Sequence, residues 1–546
     1  MRAVIRGYVA AFIPLLSGAT LLGQSDTVTI IHVNDTHSKL APIGPRTAGL
    51  EGKLGGIARA ATVIRTLVAS NPNPVFLHAG DVSTGDIFYN AYFGVPEYRI
   101  LSSLGCKAMA VGNHEWDLTP VALLRALDTA FVGGGQFPLL SANTILKDPA
   151  AQPLNKYIRS YTIEKAGAAR IGIFGLTTPE TNLLSSPSPA VIDTNIRPVA
   201  AAMVETLMVK GCNYIILLSH LGIFYDQMIG SMVSGINAIV GGHDHLAMVE
   251  PMAVVNPTGD TTWIVQANSS YLSVGRLRLA RRAGKVHLLD YALIPVDSTT
   301  AKEPTVDGIV TGLTADIEKK HGNILSHEIG FSTGFFKETA DSLMYPGHHD
   351  TPIGNLVTDA FRALVGTEIA IEAGGSTAEP IYPGPLVADD AFRVVGYGFN
   401  TVNGLGYHLV RVDMVGAVLR QCLEFGLSKI DLTDEYFLQC SGMKYEYNPN
   451  APAGQRLGSV TVGGVPLDPG TVYSVAANYF SKLFLDILGM PYSNYHEYAG
   501  DTTEFKALTQ YVMQRGTISP SPLGRILSSV KEESGAVNRR KSSCGE

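Results

Sequence analysis

Residues 27–37 read TVTIIHVNDTH, a β-branched apolar run that ends in an acidic and imidazole cluster. Such a run is typical of a strand that is covered on both faces of a sheet. The same pattern, an apolar run followed by Asp, Asn or His, recurs through the first half of the chain. The polar clusters are Asp35-Thr36-His37, Gly80-Asp81, Gly112-Asn113-His114-Glu115, Asp117, Ser219-His220 and Gly241-Gly242-His243-Asp244-His245.

The apolar runs alternate with segments of helical spacing, such as 56–69 and 197–210, and this alternation predicts an α/β layer architecture. In an open α/β sheet the loops at the strand ends converge on one crevice. One such cluster alone would indicate a turn. Six clusters at strand ends predict a shared pocket.

The residue types in these clusters predict a site for two divalent metals. Asp81 is the natural bridging carboxylate, because Gly80 lets the backbone turn sharply before it. Imidazole combined with carboxylate and amide oxygens favours Zn, Mn, Fe or Co over Ca alone. Two such ions activate water and hold the oxygens of a displacement at phosphorus.

The composition is that of a globular protein of at least two domains. The chain has 546 residues, is 46% hydrophobic and carries a formal net charge of −7. Without a large basic block, a nucleic-acid polymer is not an expected partner. A polar, Pro-containing stretch near residue 300 divides the chain, which predicts a catalytic domain at 25–300, a linker helix region at 301–326 and a second domain at 327–530. Residues 262–294 read as a β-meander, and 353–364 and 413–426 as helices.

The N-terminus has the pattern of a secretory signal peptide over residues 1–24. Arg2 and Arg6 precede an apolar core at 8–22, which is too short to span a bilayer comfortably. The prediction is a periplasmic or secreted protein with no membrane span after processing, and an uncleaved anchor is the alternative. Residues 531–546 read as a flexible tail.

The five cysteines are too few and too scattered for a disulfide framework. Cys106 and Cys212 each open an apolar run and are expected to be buried free thiols. Cys422 and Cys440 are the one pair considered for a bridge.

The motifs resemble those of the calcineurin-like metallophosphoesterases. More narrowly, they resemble the secreted 5′-nucleotidase family, which includes periplasmic UDP-sugar hydrolases and ecto-5′-nucleotidases. The resemblance implies a four-layer catalytic domain, a β-sandwich flanked by helices, joined by a linker helix to a C-terminal α/β domain that swings toward the metals. The matching segments are 31–37, 79–81, 112–117, 219–222 and 241–245.

The resemblance also implies a role for each residue. Asp35, His37 and His245 would hold the first metal, and Asn113, His220 and His243 the second, with Asp81 between them. His114 would stabilise the transition state or protonate the leaving oxygen, and Asp117 would orient its ring. The implied reaction is in-line attack on phosphorus by a water that the metals activate.

The substrate-binding motifs of the family are not matched in the second half. Residues 373–377 read AGGST and lack the Asn and the phosphate-gripping Arg, His349 stands where another Arg is usual, and the Gly-Gly-Asp-Gly loop is missing. An Arg fork is not replaced by one His without loss of geometry. The remaining candidates for substrate contacts are Phe399, Tyr407, Tyr479 and Phe480 as aromatic platforms, His348 and His349 near an anion, and Arg362 and Arg393 as a displaced phosphate grip.

These departures leave several functions open. The leading interpretation is a secreted hydrolase of phosphate esters, acting in nucleotide catabolism on 5′-nucleotides or nucleotide-sugars. The alternatives are a phosphoesterase for another substrate, a thiosulfohydrolase-like enzyme and a binding protein without catalysis. The oligomeric state is left open.

Overall fold

The computed structural model describes residues 27–338, 348–431, 434–521 and 524–530. The predicted signal peptide and the predicted tail lie outside these residues. Within the described part of the chain, no helix combines the length and apolar character needed to cross a membrane.

Two sheets form the N-terminal half. In spatial order, the first contains Lys285–Pro295, Ser273–Arg282, Thr27–Val33, Pro74–His78, Ala108–Ala110, Leu139–Leu140 and Ile158–Arg159. The second contains Met252–Val255, Thr261–Val265, Ala238–Val240, Tyr214–His220, Ala169–Thr177 and Tyr161–Ala166. Two short ribbons pair Ile43–Arg46 with Gly52–Leu54 and Thr144–Ile145 with Val191–Ile192.

Alternation of side chains along the strands produces four layers. Ile30 faces inward and packs with Ile171 and Ile216 of the opposite sheet. Its neighbour Ile31 faces outward and packs against helix Ile57–Ser70. Because successive strand residues point to opposite faces, each sheet is buried on both sides. This arrangement confirms the predicted fold class.

The helices lie outside these sheets and around the C-terminal half. Their bounds are Ile57–Ser70, Ile87–Tyr92, Val95–Ser103, Pro120–Ala130, Thr181–Leu184, Ile196–Val209, Ile223–Met232, Pro304–His321, Pro352–Val365, Ala388–Val394, Gly416–Leu427, Tyr479–Ile487 and Glu504–Arg515. Short 3₁₀ turns cover His114–Trp116, Gln152–Lys156 and Gly374–Ser376.

Helix Pro304–His321 connects the halves, and the C-terminal half is built on a mixed five-stranded sheet. Its spatial order is Leu438–Ser441, Ile369–Ala373, Val472–Asn478, Leu409–Val415 and Ser493–Glu497. Smaller sheets contain Gly384–Val387, Glu328–Ser332 and Thr517–Ile518, and Val465–Pro466, Leu457–Val462, Met443–Tyr447 and Ile526–Ser528.

Four sequence predictions need correction. The segment 262–294 is not one meander, since Thr261–Val265 pairs in the second sheet, whereas the hairpin Ser273–Arg282 and Lys285–Pro295 closes the first. The predicted helix at 413–426 begins at Gly416, because 409–415 alternates in burial and pairs as a strand. Cys422 and Cys440 are buried free thiols on a helix and a strand, not a disulfide. Cys106 is buried as expected, but Cys212 is only half-buried.

Buried ion pairs join the two halves. Arg393 donates from Nε to Asp86 Oδ2 at 2.7 Å, and its Nη2 lies 2.7 Å from Asp389 Oδ2. Arg46 forms a two-point pair with Asp390 at 2.7 and 2.6 Å. Because these carboxylates are largely removed from water, loss of either arginine would leave them buried without a cation.

Candidate active site

The predicted ligands converge at the carboxyl ends of parallel strands from both sheets. Asp35, His37 and His245 each place a ligand atom within 4.8 Å of the other two, and Asp81, His220 and His243 do the same. The two groups adjoin, since His220 Nε2 lies 2.9 Å from Asp81 Oδ2 and 3.9 Å from Asp35 Oδ1.

Asn113 belongs to the second group. Its Oδ1 lies 3.2 Å from His220 Nε2. In the first group, the Nε2 atoms of His37 and His245 are 3.0 Å apart. Such close approach of acceptor atoms, in a buried pocket that contains carboxylates, is the arrangement expected of side chains that share cations.

Ring orientation supports this interpretation. His220 Nδ1 lies 2.8 Å from the Ala79 carbonyl oxygen, and His37 Nδ1 lies 3.2 Å from that of Ser83. In each ring, an Nδ1–H that donates to the carbonyl leaves Nε2 as the free acceptor. The donor set therefore fits divalent transition metals, with imidazole nitrogen beside carboxylate and amide oxygen.

The local backbone is strained where these ligands stand. Five of the seven have φ in the left-handed region: Asp35, His37, Asp81, His243 and His245. This conformation is rare in residues other than glycine, and it clusters at functional sites where the surroundings enforce it. Gly112 is required nearby, because a Cβ there would collide with the Asp81 carboxylate.

The sequence did not predict a role for Glu115, whose side chain holds the loop of Asp81 in place through hydrogen bonds. Its buried carboxylate accepts hydrogen bonds from the backbone N–H groups of Gly112, Asp81, Val82 and Ser83 at 2.7–3.1 Å. The carboxylate thus fixes the backbone on both sides of the central Asp81. In the sequence, the only indication of this role was that Glu115 lies three residues after Gly112, inside the cluster that contains Asn113.

His114 lies beside the two groups and is held on both sides. Its Nδ1 is 2.6 Å from Asp117 Oδ2, and its ring stacks on Tyr397 with centroids 4.4 Å apart. Burial lowers the pKa of His114, but the carboxylates of Asp117 and Asp81 outweigh burial and raise that pKa to about 9. With Asp117 accepting from Nδ1–H, the Nε2 atom of this ring is the one that can carry a proton toward the ligand groups. Tyr397 comes from the C-terminal half and was not predicted.

A cavity of about 140 Å³ extends from Asn113, His114 and Asp117 into the C-terminal half. Its acidic lining residues are Asp117, Glu435 and Glu504, and no lysine or arginine of the described chain lines it. Six aromatic residues contribute to the wall: Tyr397, Tyr407, Phe425, Tyr436, Phe480 and Phe484.

The predicted substrate contacts are only partly in this cavity. Phe480 lines it, and its ring is parallel to Tyr407, with centroids 5.8 Å apart and planes at 10°. Phe399 instead packs on Phe93, Tyr479 packs against the C-terminal core, and His349 Nδ1 bonds the Asp350 carbonyl oxygen. These three side chains therefore lie outside the lining of this cavity.

Neither arginine that was considered as a phosphate grip lines the cavity. Arg393 is held by Asp86 and Asp389, and Arg362 donates to Ser441 Oγ at 3.2 Å. His348 is buried against Phe437. The pocket beside the metal ligands is thus aromatic and acidic along its described wall.

A third group of potential ligands spans the two halves. Glu180, His243 and Glu435 place their ligand atoms within 4.8 Å of one another, and His243 Nε2 lies 3.5 Å from Glu180 Oε2. Glu435 comes from the C-terminal half, so both halves contribute carboxylates next to His243. Glu180 and Glu435 were not predicted.

The fold and the paired ligand groups define a two-domain metallohydrolase. The calcineurin-like phosphoesterase family model matches residues 28–247, and the model of the 5′-nucleotidase C-terminal domain matches 330–485. The chain belongs to the 5′-nucleotidase family of calcineurin-like phosphoesterases. It is accordingly a metal-dependent phosphoric ester hydrolase.

Relatives and solved structures agree with this assignment over nearly the whole chain. The snake venom 5′-nucleotidase of Naja atra is 27% identical over 92% of this chain and 98% of its own. The structure of a 5′-nucleotidase precursor from Thermus thermophilus is 29% identical, with a TM-score of 0.79 over 92% and 99% of the two chains. A sulfate thiohydrolase, SoxB, is 19% identical with a TM-score of 0.75 over 94% and 98%, which is a likeness of fold alone.

Proposed function

We propose that this chain hydrolyses phosphate monoesters, with nucleoside 5′-monophosphates as the favoured substrates. The observation that carries the proposal is the meeting of two ligand groups around Asp81, beside His114 and at the mouth of an aromatic cavity. A reacting phosphate at that meeting point would have its leaving group directed into the cavity.

Two divalent ions, Zn, Mn, Fe or Co, would be held by the two groups. Asp35, His37 and His245 would hold one ion, Asn113, His220 and His243 the other, and Asp81 would bridge them. When bound, such a pair lowers the pKa of water toward neutrality and neutralises phosphate oxygens.

The chain's own residues supply orientation and a proton. His114 Nε2 would donate its proton to the leaving oxygen, since Asp117 holds Nδ1–H and keeps the ring turned toward the ligand groups. Tyr397 limits rotation of the imidazole by stacking on it. Glu115 would keep Asp81 in position through the backbone bonds of its loop.

Two features support nucleotides over other phosphoesters. Relatives that span nearly the same length are named 5′-nucleotidases. The parallel rings of Tyr407 and Phe480 offer faces on which a nucleobase stacks. Nucleotide-sugars are less favoured. Their second phosphate would lie near the carboxylates of Asp117 and Glu435, and among the described residues no lysine or arginine lines the cavity to balance its charge.

The test combines metal analysis with a substrate panel. We expect about two transition ions per chain, and phosphate release from AMP and p-nitrophenyl phosphate that chelation abolishes and added metal restores. Asp81→Asn should lower kcat about 10⁴-fold on both substrates, while the exposed Asp260→Asn should have no effect. Hydrolysis that persists after chelation, or a fully active Asp81→Asn variant, would refute the metal mechanism. Activity on the aryl ester with none on any nucleotide would refute only the nucleotide assignment.

The site of action and the domain limits are part of the same proposal. Arg2, Arg6 and the apolar core at 8–22 support export to the periplasm or the medium. We propose 25–300 as the catalytic domain, 301–326 as the linker and 327–530 as the substrate-binding domain. Detection of the mature protein, starting near residue 25, in the exported fraction would test the first point.

A further inference from the structure

Glu504 is an acidic side chain in the cavity wall to which the proposed mechanism assigns no role. It is the first residue of helix Glu504–Arg515 and is only 2% exposed. Thr503 Oγ1 caps this helix by accepting from the Lys506 N–H. The cap fixes the first turn, and the Glu504 carboxyl is directed inward to the cavity.

The Glu504 carboxyl is hydrogen-bonded to both segments that carry the aromatic pair. Oε1 accepts from the backbone N–H of Tyr407 at 2.8 Å, and Oε2 accepts from Asn478 Nδ2 at 3.2 Å. Asn478 stands two residues before Phe480 and also lines the cavity. The carboxyl therefore connects the two segments that present the Tyr407 and Phe480 rings.

A glycine leaves room for this carboxyl at the wall. Gly398 lines the cavity, and a Cβ there would collide with Glu504 Oε1. A larger residue at 398 would have to displace the carboxyl. Close packing against Gly398 thus fixes the position of the Glu504 carboxyl in the cavity wall.

The protein leaves acceptor capacity on Glu504 unused. Each oxygen receives one N–H, and a carboxyl oxygen accepts two hydrogen bonds. Burial and the adjacent Glu372 carboxylate raise the pKa of Glu504 well above its ordinary value. Whether protonated or ionised, the group still offers an oxygen that accepts an N–H.

We propose that Glu504 selects nucleotides by their base: a base stacked on Tyr407 and Phe480 donates an exocyclic amino N–H to the Glu504 carboxyl. Amino-bearing bases such as adenine are then preferred to analogues without that group. A site built to accept an N–H discriminates against a ligand that lacks it, since the buried acceptor is left unpaired. This inference rests on the proposed nucleotidase function and adds its base preference.

The test compares AMP with purine riboside 5′-monophosphate, which lacks only the amino group. We expect kcat/KM for the analogue to be lower by about tenfold or more, mainly through KM. Glu504→Leu should bring the ratio close to one. Glu446→Leu, on the exposed face of strand Met443–Tyr447, is the matched control and should keep the wild-type ratio.

The outcomes separate this inference from the function on which it rests. Equal kcat/KM for the two nucleotides in the wild-type enzyme would overturn the role of Glu504 and leave the nucleotidase proposal standing. If neither nucleotide is cleaved while p-nitrophenyl phosphate is, both proposals fail. Should Glu504→Leu not fold, the wild-type ratio still tests the proposal, because equal values for the two nucleotides overturn it.

Discussion

The two sides of the cavity are built in different ways. On the N-terminal side, every predicted ligand stands within one or a few residues of a strand end, and all seven meet around Asp81. On the C-terminal side, the wall combines separate segments around Tyr397, Tyr407, Glu435, Phe480 and Glu504. Metal ligation restricts residue type and spacing, whereas an aromatic or acidic wall can be assembled from many positions.

Substitution of His114 should give the largest kinetic effect and should distinguish the two sides of the cavity most clearly. His114→Ala is expected to lower kcat about 10³-fold on AMP and on p-nitrophenyl phosphate, because the proton donor beside the leaving oxygen is removed. Metal content and the KM for AMP should stay near wild type. Phe480→Leu should give the opposite pattern, with a raised KM for AMP and normal turnover of the aryl ester. Turnover of His114→Ala within a few-fold of wild type would remove this ring from the mechanism.

Loss of Arg393 tests the contact between the sides. Arg393→Met should destabilise the protein by about 3–5 kcal/mol, because the buried carboxylates of Asp86 and Asp389 lose their cation. The melting temperature and urea midpoint measure this effect. Replacing both carboxylates by Asn in the same variant should restore part of the stability. The exposed Arg282→Met is the control, and an equal melting temperature for both arginine variants would contradict the interpretation.

Glu372 gives the C-terminal side a pH dependence of stability. Burial raises its pKa from 4.5 to about 7. The folded state then holds a proton that the unfolded state has released, so this contribution is complete below pH 4.5 and is lost as pH rises through 7. Glu372→Gln should remove that loss and stabilise the protein by about 3 kcal/mol at pH 8. Chemical unfolding from pH 4.5 to 8 measures the difference, which should vanish at the acid end.

The control for this prediction is Glu446→Gln, which changes an exposed carboxylate of the same half. Its stability should follow the wild type at every pH. A Glu372→Gln variant that is no more stable at pH 8 than at pH 4.5, relative to wild type, would show that the buried carboxyl is not protonated in the folded state.

The same contrast explains how much the sequence could predict. The apolar run that opens at Thr27 was predicted to be a covered strand and forms Thr27–Val33, because a short β-branched run before a polar cluster leaves few alternatives. The cluster after it could be located because a strand end fixes where the next side chains lie. Thr261–Val265 was assigned to the wrong sheet, since periodicity does not tell which neighbour a strand pairs with.

The residues that sequence reasoning missed depend on long-range packing. Glu115 acquires its role only when the Asp81 loop folds over it. Tyr397 reaches His114 across the contact between halves, and Glu504 meets Tyr407 over 97 positions of chain. No local pattern marks an aromatic ring or a carboxyl for such a position. Phe399 and Tyr479 had the same residue types and lie elsewhere.

The pairing of Asp86 with Arg393 has a consequence for engineering. The loop that carries Asp86 belongs to the catalytic half, and the guanidinium that neutralises it belongs to the other half. A chimera that fused this catalytic half to the second half of a relative without an equivalent arginine would inherit an unmatched buried anion. Grafting a new specificity module onto this catalytic half would therefore require that module to carry an arginine equivalent to Arg393.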